Sequence, residues 1–315
     1  MRLLPSGYSV RPATPEDLPE VVRFFDTSDA VLGLEPGMDL AIFRRLYGSP
    51  RFDPATDSFL ITGRGGELVG YGDVHEQLEE SAVTTFGRIH PDHGGHGLGG
   101  WLIRRLEHRA DEMIGSRPLV VRATALWLDD RAVPLFEMLG YRHVRDFWHM
   151  ERELDDLAPV DTPPGVTIRP FREGDALSFH RIEMDSFRGQ WGTSPVPFEE
   201  WAQQQLRAEV FRPEMWLLAR CDGRDAGMVT GRGGTTEGWV ATLAVLEEFR
   251  ARGIGGALLQ HVFRVFKEQG YGRAALNVDS NNPTGATKLY EGQGMRVRRR
   301  WLVFDKLPDS ISAHG

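Results

Sequence analysis

Apolar residues recur at positions 254, 258, 259, 262, 263 and 266, close to the 3.6-residue period of a helix with one buried face. The stretch that carries them, G-I-G-G-A-L-L-Q-H-V-F-R-V-F-K-E-Q-G, closes at Gly270, a common helix stop. Upstream, M-W-L-L-A-R-C-D-G-R-D-A-G-M-V-T-G joins two apolar runs through Asp-Gly, which predicts a β-hairpin. G-W-V-A-T-L-A-V at 238–245 predicts a strand before the helix, and A-A-L-N-V predicts one after it. Hairpins interleaved with helical crossovers predict an α/β fold with a mixed sheet.

The pattern runs twice. Y-S-V-R-P-A-T-P-E-D-L-P-E-V-V-R-F at 8–24 matches V-T-I-R-P-F-R-E-G-D-A-L-S-F-H-R-I at 166–182, with Arg169 lying 158 residues after Arg11. H-P-D-H-G-G-H-G-L-G-G-W-L-I at 90–103 matches E-E-F-R-A-R-G-I-G-G-A-L-L at 247–259, an offset of 156 from Gly97 to Gly253. F-E-M-L-G-Y at 136–141 matches Y-E-G-Q-G-M at 290–295, an offset of 154 from Gly140 to Gly294. Three landmarks in one order mark a tandem duplication. The Pro-rich, acidic stretch D-D-L-A-P-V-D-T-P-P-G at 155–165 reads as the linker. The expected domains are therefore 1–154 and 166–315.

Length and composition agree. The 315 residues are 41% hydrophobic and 26% charged, enough apolar material for two cores. The single cysteine, Cys221, excludes an internal disulfide and reads as a buried thiol. A net charge of −8 argues against a nucleic-acid partner. No apolar run approaches the ~20 residues of a membrane span, and the first residues lack the apolar core of a secretory signal. No membrane partner and a cytoplasmic location are expected; oligomeric state is not readable.

R-A-R-G-I-G-G-A at 250–257 stands between a strand and a helix start, where free N–H groups and the helix dipole favour a phosphate. Glycines at 253, 255 and 256 would let a ligand approach the backbone; a purely structural turn is the alternative. The loop lacks the G-K-S/T of a Walker A motif, and it follows several strands rather than the first, unlike a dinucleotide fingerprint. His90, His93 and His96, without Cys or a paired carboxylate, match no zinc pattern, so no metal is expected.

V-L-E-E-F-R-A-R-G-I-G-G-A-L-L resembles the acyl-CoA loop of the GCN5-related N-acetyltransferase (GNAT) superfamily, whose signature is Q/R-x-x-G-x-G/A. Arg250, Gly253 and Gly255 fill it. L-N-V-D-S-N-N-P-T-G-A-T-K-L-Y-E-G-Q-G-M resembles the family's second motif, with Asn282, Ala286, Tyr290, Gly294 and Met295 in place. The resemblance spans nearly the whole chain and implies two tandem GNAT-fold domains, each a mixed, mostly antiparallel sheet flanked by helices. It also implies acetyl-CoA as cosubstrate and a small-molecule amine as acceptor. Pantetheine would pair with backbone near Leu243, Ala244 and Val245. The pyrophosphate would sit on Arg250, Ala251, Arg252, Gly253, Ile254, Gly255 and Gly256, with Asn282 nearby.

The first half is less faithful. It keeps Pro91, Gly97 and Gly99, but Gly94 stands at the Arg250 position, Leu128 at Asn282 and Phe136 at Tyr290. Its counterpart cofactor residues would be Ile89, Gly95, His96, Gly97, Leu98 and Gly99. Tyr290 is implied as the acid that protonates the departing thiolate, an expectation Phe136 cannot meet. Many relatives place a basic Glu where Trp239 stands here; Glu237, two residues earlier on the same strand face, is the candidate base. Glu183 and Asp185 could hold the cationic amine. Trp191, in the aromatic-rich stretch 187–201, would wall the acceptor site. The resulting expectation is an N-acetyltransferase with chemistry in the second half; a noncatalytic acyl-CoA sensor, or transfer of a longer acyl group, is the alternative.

Overall fold

The computed structural model describes residues 3–307, except 36, 39, 78–81, 116, 118, 192, 194, 208–210, 235, 236 and 283. The chain folds as two units, Met1–Arg145 with Trp301–Gly315, and Asp146–Arg300. Along the first half run β1 (Ser9–Arg11), α1 (Leu18–Val31), α2 (Leu40–Tyr47), α3 (Pro54–Asp57), β2 (Ser58–Thr62), β3 (Leu68–Gln77), β4 (Ala82–Ile89), α4 (Leu98–Ile114), β5 (Val120–Leu126), α5 (Ala132–Met138) and β6 (Arg142–Glu153). The second half repeats the order as β7 (Val166–Pro170), α6 (Ala176–Ser186), α7 (Phe198–Leu206), β8 (Trp216–Cys221), β9 (Arg224–Gly233), β10 (Glu237–Val245), α8 (Ile254–Glu268), β11 (Arg273–Asp279), α9 (Ala286–Gly292) and β12 (Arg296–Lys306).

In the first unit β1, β2, β3, β4 and β5 are neighbours in that order, antiparallel except for a parallel β4–β5 pair. In the second, β7, β8, β9, β10 and β11 repeat it, with β10–β11 parallel. The mixed, mostly antiparallel sheets expected from sequence are present. Asp222 and Gly223 both take positive φ at the β8–β9 turn, as a two-residue hairpin requires. The six apolar positions of α8 that set its period are all buried against that sheet. The Arg-Pro landmark also has a physical basis. Arg11 grips Asp17 through both guanidinium nitrogens (2.6 and 2.7 Å), and Arg169 grips Asp175 in the same way (2.6 and 2.8 Å). Each clamp ties the first strand of its unit to the following helix, and Arg11 holds the Asp17 carboxyl down at about 2.

The division of the chain departs from the 1–154 and 166–315 expected above. Phe147–Glu153 of β6 pair with β11 and so belong to the second unit. Trp301–Lys306 of β12 pair with β5 and complete the first. Each unit takes its last strand from the other half of the chain. Arg122 on β5 secures the arrangement with a bidentate, largely buried grip on Asp305 (2.8 and 2.9 Å). Phe304 is fully buried and stacks on Phe136 at 5.1 Å.

The segment 155–165 is docked rather than free. The polar face of α8 holds it: Lys267 donates to the Asp155 carbonyl (2.8 Å) and Arg264 to the Ala158 carbonyl (2.8 Å), while Gln260 accepts the Asp161 N–H (2.8 Å). Two of its backbone carbonyls and one N–H find side-chain partners on α8, which composition alone does not distinguish from a free linker. Removing the Phe304 ring should cost the first unit about 3–5 kcal/mol, the usual range for a buried Phe→Ala. Phe304→Ala should accordingly strip hydrogen-exchange protection from β5. Unchanged β5 protection would contradict the strand assignment.

Candidate active site

β10 and β11 pair only over Glu237–Trp239 and Arg273–Ala275, then separate. β10 stays on β9, with an irregularity between Val240 and Thr242. Leu246 N–H donates to Ala226 across that ladder (3.0 Å). Antiparallel alternation therefore turns the N–H groups of Leu243 and Val245 the other way, into the opening. The first unit matches it. β4 and β5 pair over Ala82–Thr85 and Val120–Ala123, and His90 N–H donates to Val69 (2.9 Å), which leaves Gly87 and Ile89 facing the opening. Unpaired strand amides are donors in need of a partner.

Beyond each opening lies a short 3-10 turn, Pro91–His93 or Glu247–Phe249, and then the glycine loop. The two loops share a backbone: φ is +81° at Gly95 and +80° at Gly97, against +59° at Ala251 and +78° at Gly253. A left-handed alanine costs about 1–2 kcal/mol, so the loop's shape is maintained against that strain. Such loops aim successive N–H groups into one concavity, here at the positive ends of α4 and α8. Gly255 and Gly256 also meet α9. A Cβ on them would lie 3.1 Å from Leu289 and 3.2 Å from Gln293, so they allow α9 to pack close on α8.

The remaining candidates fall into place around this frame. Arg250 folds back to donate to the carbonyls of Val245 (3.1 Å) and Ser186 (3.3 Å). Ser186 Oγ, buried beside it, has no hydrogen-bond partner among the described residues. Arg252 lies over the Phe249 ring at 5.5 Å. Asn282 Oδ1 accepts the Thr284 N–H (2.9 Å), shaping the turn into α9. Tyr290, on α9, is buried, and burial pushes its phenol up to about 12, so it keeps its proton at neutral pH. Free strand amides, an orphan hydroxyl and a cationic glycine loop in a row fit a pantetheine diphosphate.

The first unit has a cavity of about 780 Å³ at its opening, lined by Gly87, Ile89, Gly97, Leu128, Arg131 and Phe136 among others. His96 hydrogen-bonds the His93 carbonyl (3.3 Å), and His93 hydrogen-bonds Tyr8 (3.3 Å). Among the described residues no three His, Cys, Asp or Glu side chains gather as metal ligands.

The sheet face opposite α8 separates the units. In the first, Phe25 of α1 stacks on Phe86 of β4 (5.2 Å, 20°), and Arg88 of β4 is ion-paired with Asp29 in a buried contact. The landmark offsets put Glu183, Thr242 and Ala244 where the first unit has Phe25, Phe86 and Arg88. An aromatic plug is replaced by a carboxyl and two small side chains. Glu183 accepts from Trp201 Nε1 (2.8 Å), and burial pushes its carboxyl above the usual range. Asp185 is instead on the exposed side, paired with Arg188 (2.6 Å). Trp191 lies against Phe147 of β6 at 6.0 Å.

Glu237 sits at the still-paired end of β10, about 20 Å along the strand from Leu243 at the usual rise. The structure does not bring it to the opening. Between them Trp239 stacks on His149 (5.5 Å, 25°), whose ring nitrogens meet Glu151 (2.7 Å) and Asn277 (3.1 Å). Sequence reading missed His149 and Glu151 because it assigned them to the other half. The exchanged strand brings them here.

The profile of the Acetyltransferase (GNAT) family matches residues 27–141 and again 176–295. A mycothiol acetyltransferase of Saccharopolyspora erythraea is 30% identical over 253 residues, 76% of this chain and 82% of that protein. The crystal structure of a GCN5-related N-acetyltransferase from Sphaerobacter thermophilus superimposes with a TM-score of 0.85 at 31% identity, covering 96% of both chains. A tandem GNAT protein from the clavulanic acid biosynthesis pathway shares the fold at 17% identity, with a TM-score of 0.66 over 95% of this chain and 98% of that one. No helix among the described residues is long and apolar enough to cross a membrane.

The raised Glu183 carboxyl has a measurable consequence. The fold prefers its protonated form, so the stability it contributes is present below the ordinary carboxylate pKa and lost as pH rises through its folded value. Glu183→Gln keeps an acceptor for Trp201. It should raise the Tm at pH 7–8 relative to the parent and bring no gain at pH 4. A thermal-melt series showing equal shifts at both ends would refute the assignment.

Proposed function

The chain belongs to the acetyltransferase (GNAT) family, and on that premise we propose that its second unit transfers acetyl from acetyl-CoA to a primary amine of a small molecule. The observation that carries this is the contrast on one sheet face. Glu183, Thr242 and Ala244 stand at the positions in the second unit where the Phe25–Phe86 stack and the Arg88–Asp29 pair fill the first. The naming of several relatives as mycothiol acetyltransferases supports a small amine acceptor.

Bound acetyl-CoA supplies an activated thioester. The Leu243 and Val245 amides hold its pantetheine, and the loop from Arg250 to Gly253 faces its diphosphate. Glu183, with a basicity raised by burial, takes up the ammonium of the acceptor and then its proton. Tyr290 protonates the leaving thiolate; its phenol at about 12 ensures that a proton is there to give. The exchanged strand, through Phe147 and His149, forms the floor on which the acceptor rests, with Trp191 against it.

The first unit is proposed to bind CoA without turnover. Phe136 has no proton to donate, and its acceptor face is closed.

A thiol-release assay over a panel of primary amines, from amino sugars to polyamines, tests the activity. Tyr290→Phe should lower kcat by ~10²-fold or more, the scale of one general acid, with acetyl-CoA affinity nearly unchanged. Gly253→Val should weaken acetyl-CoA at the second unit at least tenfold, about 1.4 kcal/mol, because the position is left-handed and a Cβ would stand 3.1 Å from Pro163. Wild-type turnover by Tyr290→Phe across the pH range would move the acid elsewhere.

A further inference from the structure

The loop cation of the first unit is missing from the loop. Gly94 occupies the position of Arg250, and 156 residues separate the two. The structure shows what stands in its place. A Cβ built on Gly94 would lie 1.6 Å from Nη1 of Arg131 and 2.8 Å from its Cζ. The guanidinium of Arg131 therefore occupies the space that a side chain at 94 would need. Nη1 is anchored there by a hydrogen bond to the Pro91 carbonyl (3.2 Å).

Arg131 is the N-cap of α5, and its counterpart at the N-cap of α9 is Gly285. The two units carry a reciprocal pair: glycine in the loop with arginine on the helix cap, or arginine in the loop with glycine on the cap. Each pair supplies one guanidinium and one glycine, and the glycine at 94 makes room for the side chain at 131. No carboxylate pairs with the Arg131 guanidinium among the described residues. Asp129 and Asp130, which precede it and also line the cavity, form no ion pair with the guanidinium; Asp129 accepts the backbone N–H of Arg131 instead (3.2 Å). Arg131 and the glycine loop line the same 780 Å³ cavity, together with Gly94, Gly95, Gly97 and Ile89.

We propose that Arg131 is the diphosphate-binding cation of the first unit, relocated from the loop to the cap of α5, and that it gives the cavity its grip on CoA. The inference rests on the reading of the first unit as a CoA-holding site. A cation unmatched by protein carboxylates, beside loop N–H groups already turned to one concavity, is arranged for a charge-assisted bond to phosphate oxygens.

Calorimetry on the full chain tests it, with CoA and with pantetheine, which has the same arm but no diphosphate. The wild type should bind two CoA per chain, and Gly253→Val, which weakens the second unit, should leave one tight site. In that background Arg131→Ala should weaken CoA at least tenfold and leave pantetheine within about twofold. Gly94→Arg combined with Arg131→Gly, the arrangement of the second unit, should restore CoA affinity. A parallel melt of Arg131→Lys, which keeps the charge and the fold, separates misfolding from lost contact. One CoA per chain in the wild type would overturn the first-unit site, and the proposal with it. Two CoA per chain with an unmoved affinity in Arg131→Ala would overturn the role of Arg131 alone. An equal loss for pantetheine would make Arg131 a structural residue and overturn the proposal as well.

Discussion

Two parallel strands that begin paired and then part govern the rest of each unit. While paired, β10 and β11 satisfy one another; once apart, Leu243 and Val245 have donors that no strand reaches. A sheet that stayed closed would be more stable and would bind nothing. The crossover helix between the two strands starts at the divergence, so its positive end, the glycine loop and the open amides lie in sequence along one track. The opening is thus part of the fold itself, and the duplicated chain contains it twice.

Duplication has left the backbone in common and separated the side chains. Left-handed residues at 95 and 97 recur at 251 and 253 even though one of the four is alanine. The differences gather where chemistry would occur. Phenylalanine replaces tyrosine on the last helix, and an aromatic stack with a buried ion pair stands where the other unit has a carboxyl and two small residues.

Strand exchange gives the halves a dependence that tandem domains joined by a free linker would lack. The first unit is complete only when Phe304 and Asp305 have been synthesised, and the second draws Phe147, His149 and Glu151 from before its own first strand. The stretch at 155–165 that looks like a tether is bound along α8 by Gln260, Arg264 and Lys267.

Period, turn chemistry and the repeat were enough to establish two α/β halves, the α8 core positions, the Asp222–Gly223 hairpin and the glycine loop before α8, because each rests on residues close together in the chain. Motif spacing likewise placed Tyr290 on the last helix and Arg250 at the start of the glycine loop, because both positions are local. What the sequence left undecided involves partners far apart. Glu237 lies on the predicted face of its strand, but where the strands part decides that it stands away from the opening. Asp185 and Glu183 are two residues apart, and helix geometry sends one to solvent beside Arg188 and the other to Trp201. Gly94 reads as a lost cation until folding brings Arg131, 37 residues later, into its place. Pairwise contact across such distances is set by packing of whole elements, and no local pattern encodes it.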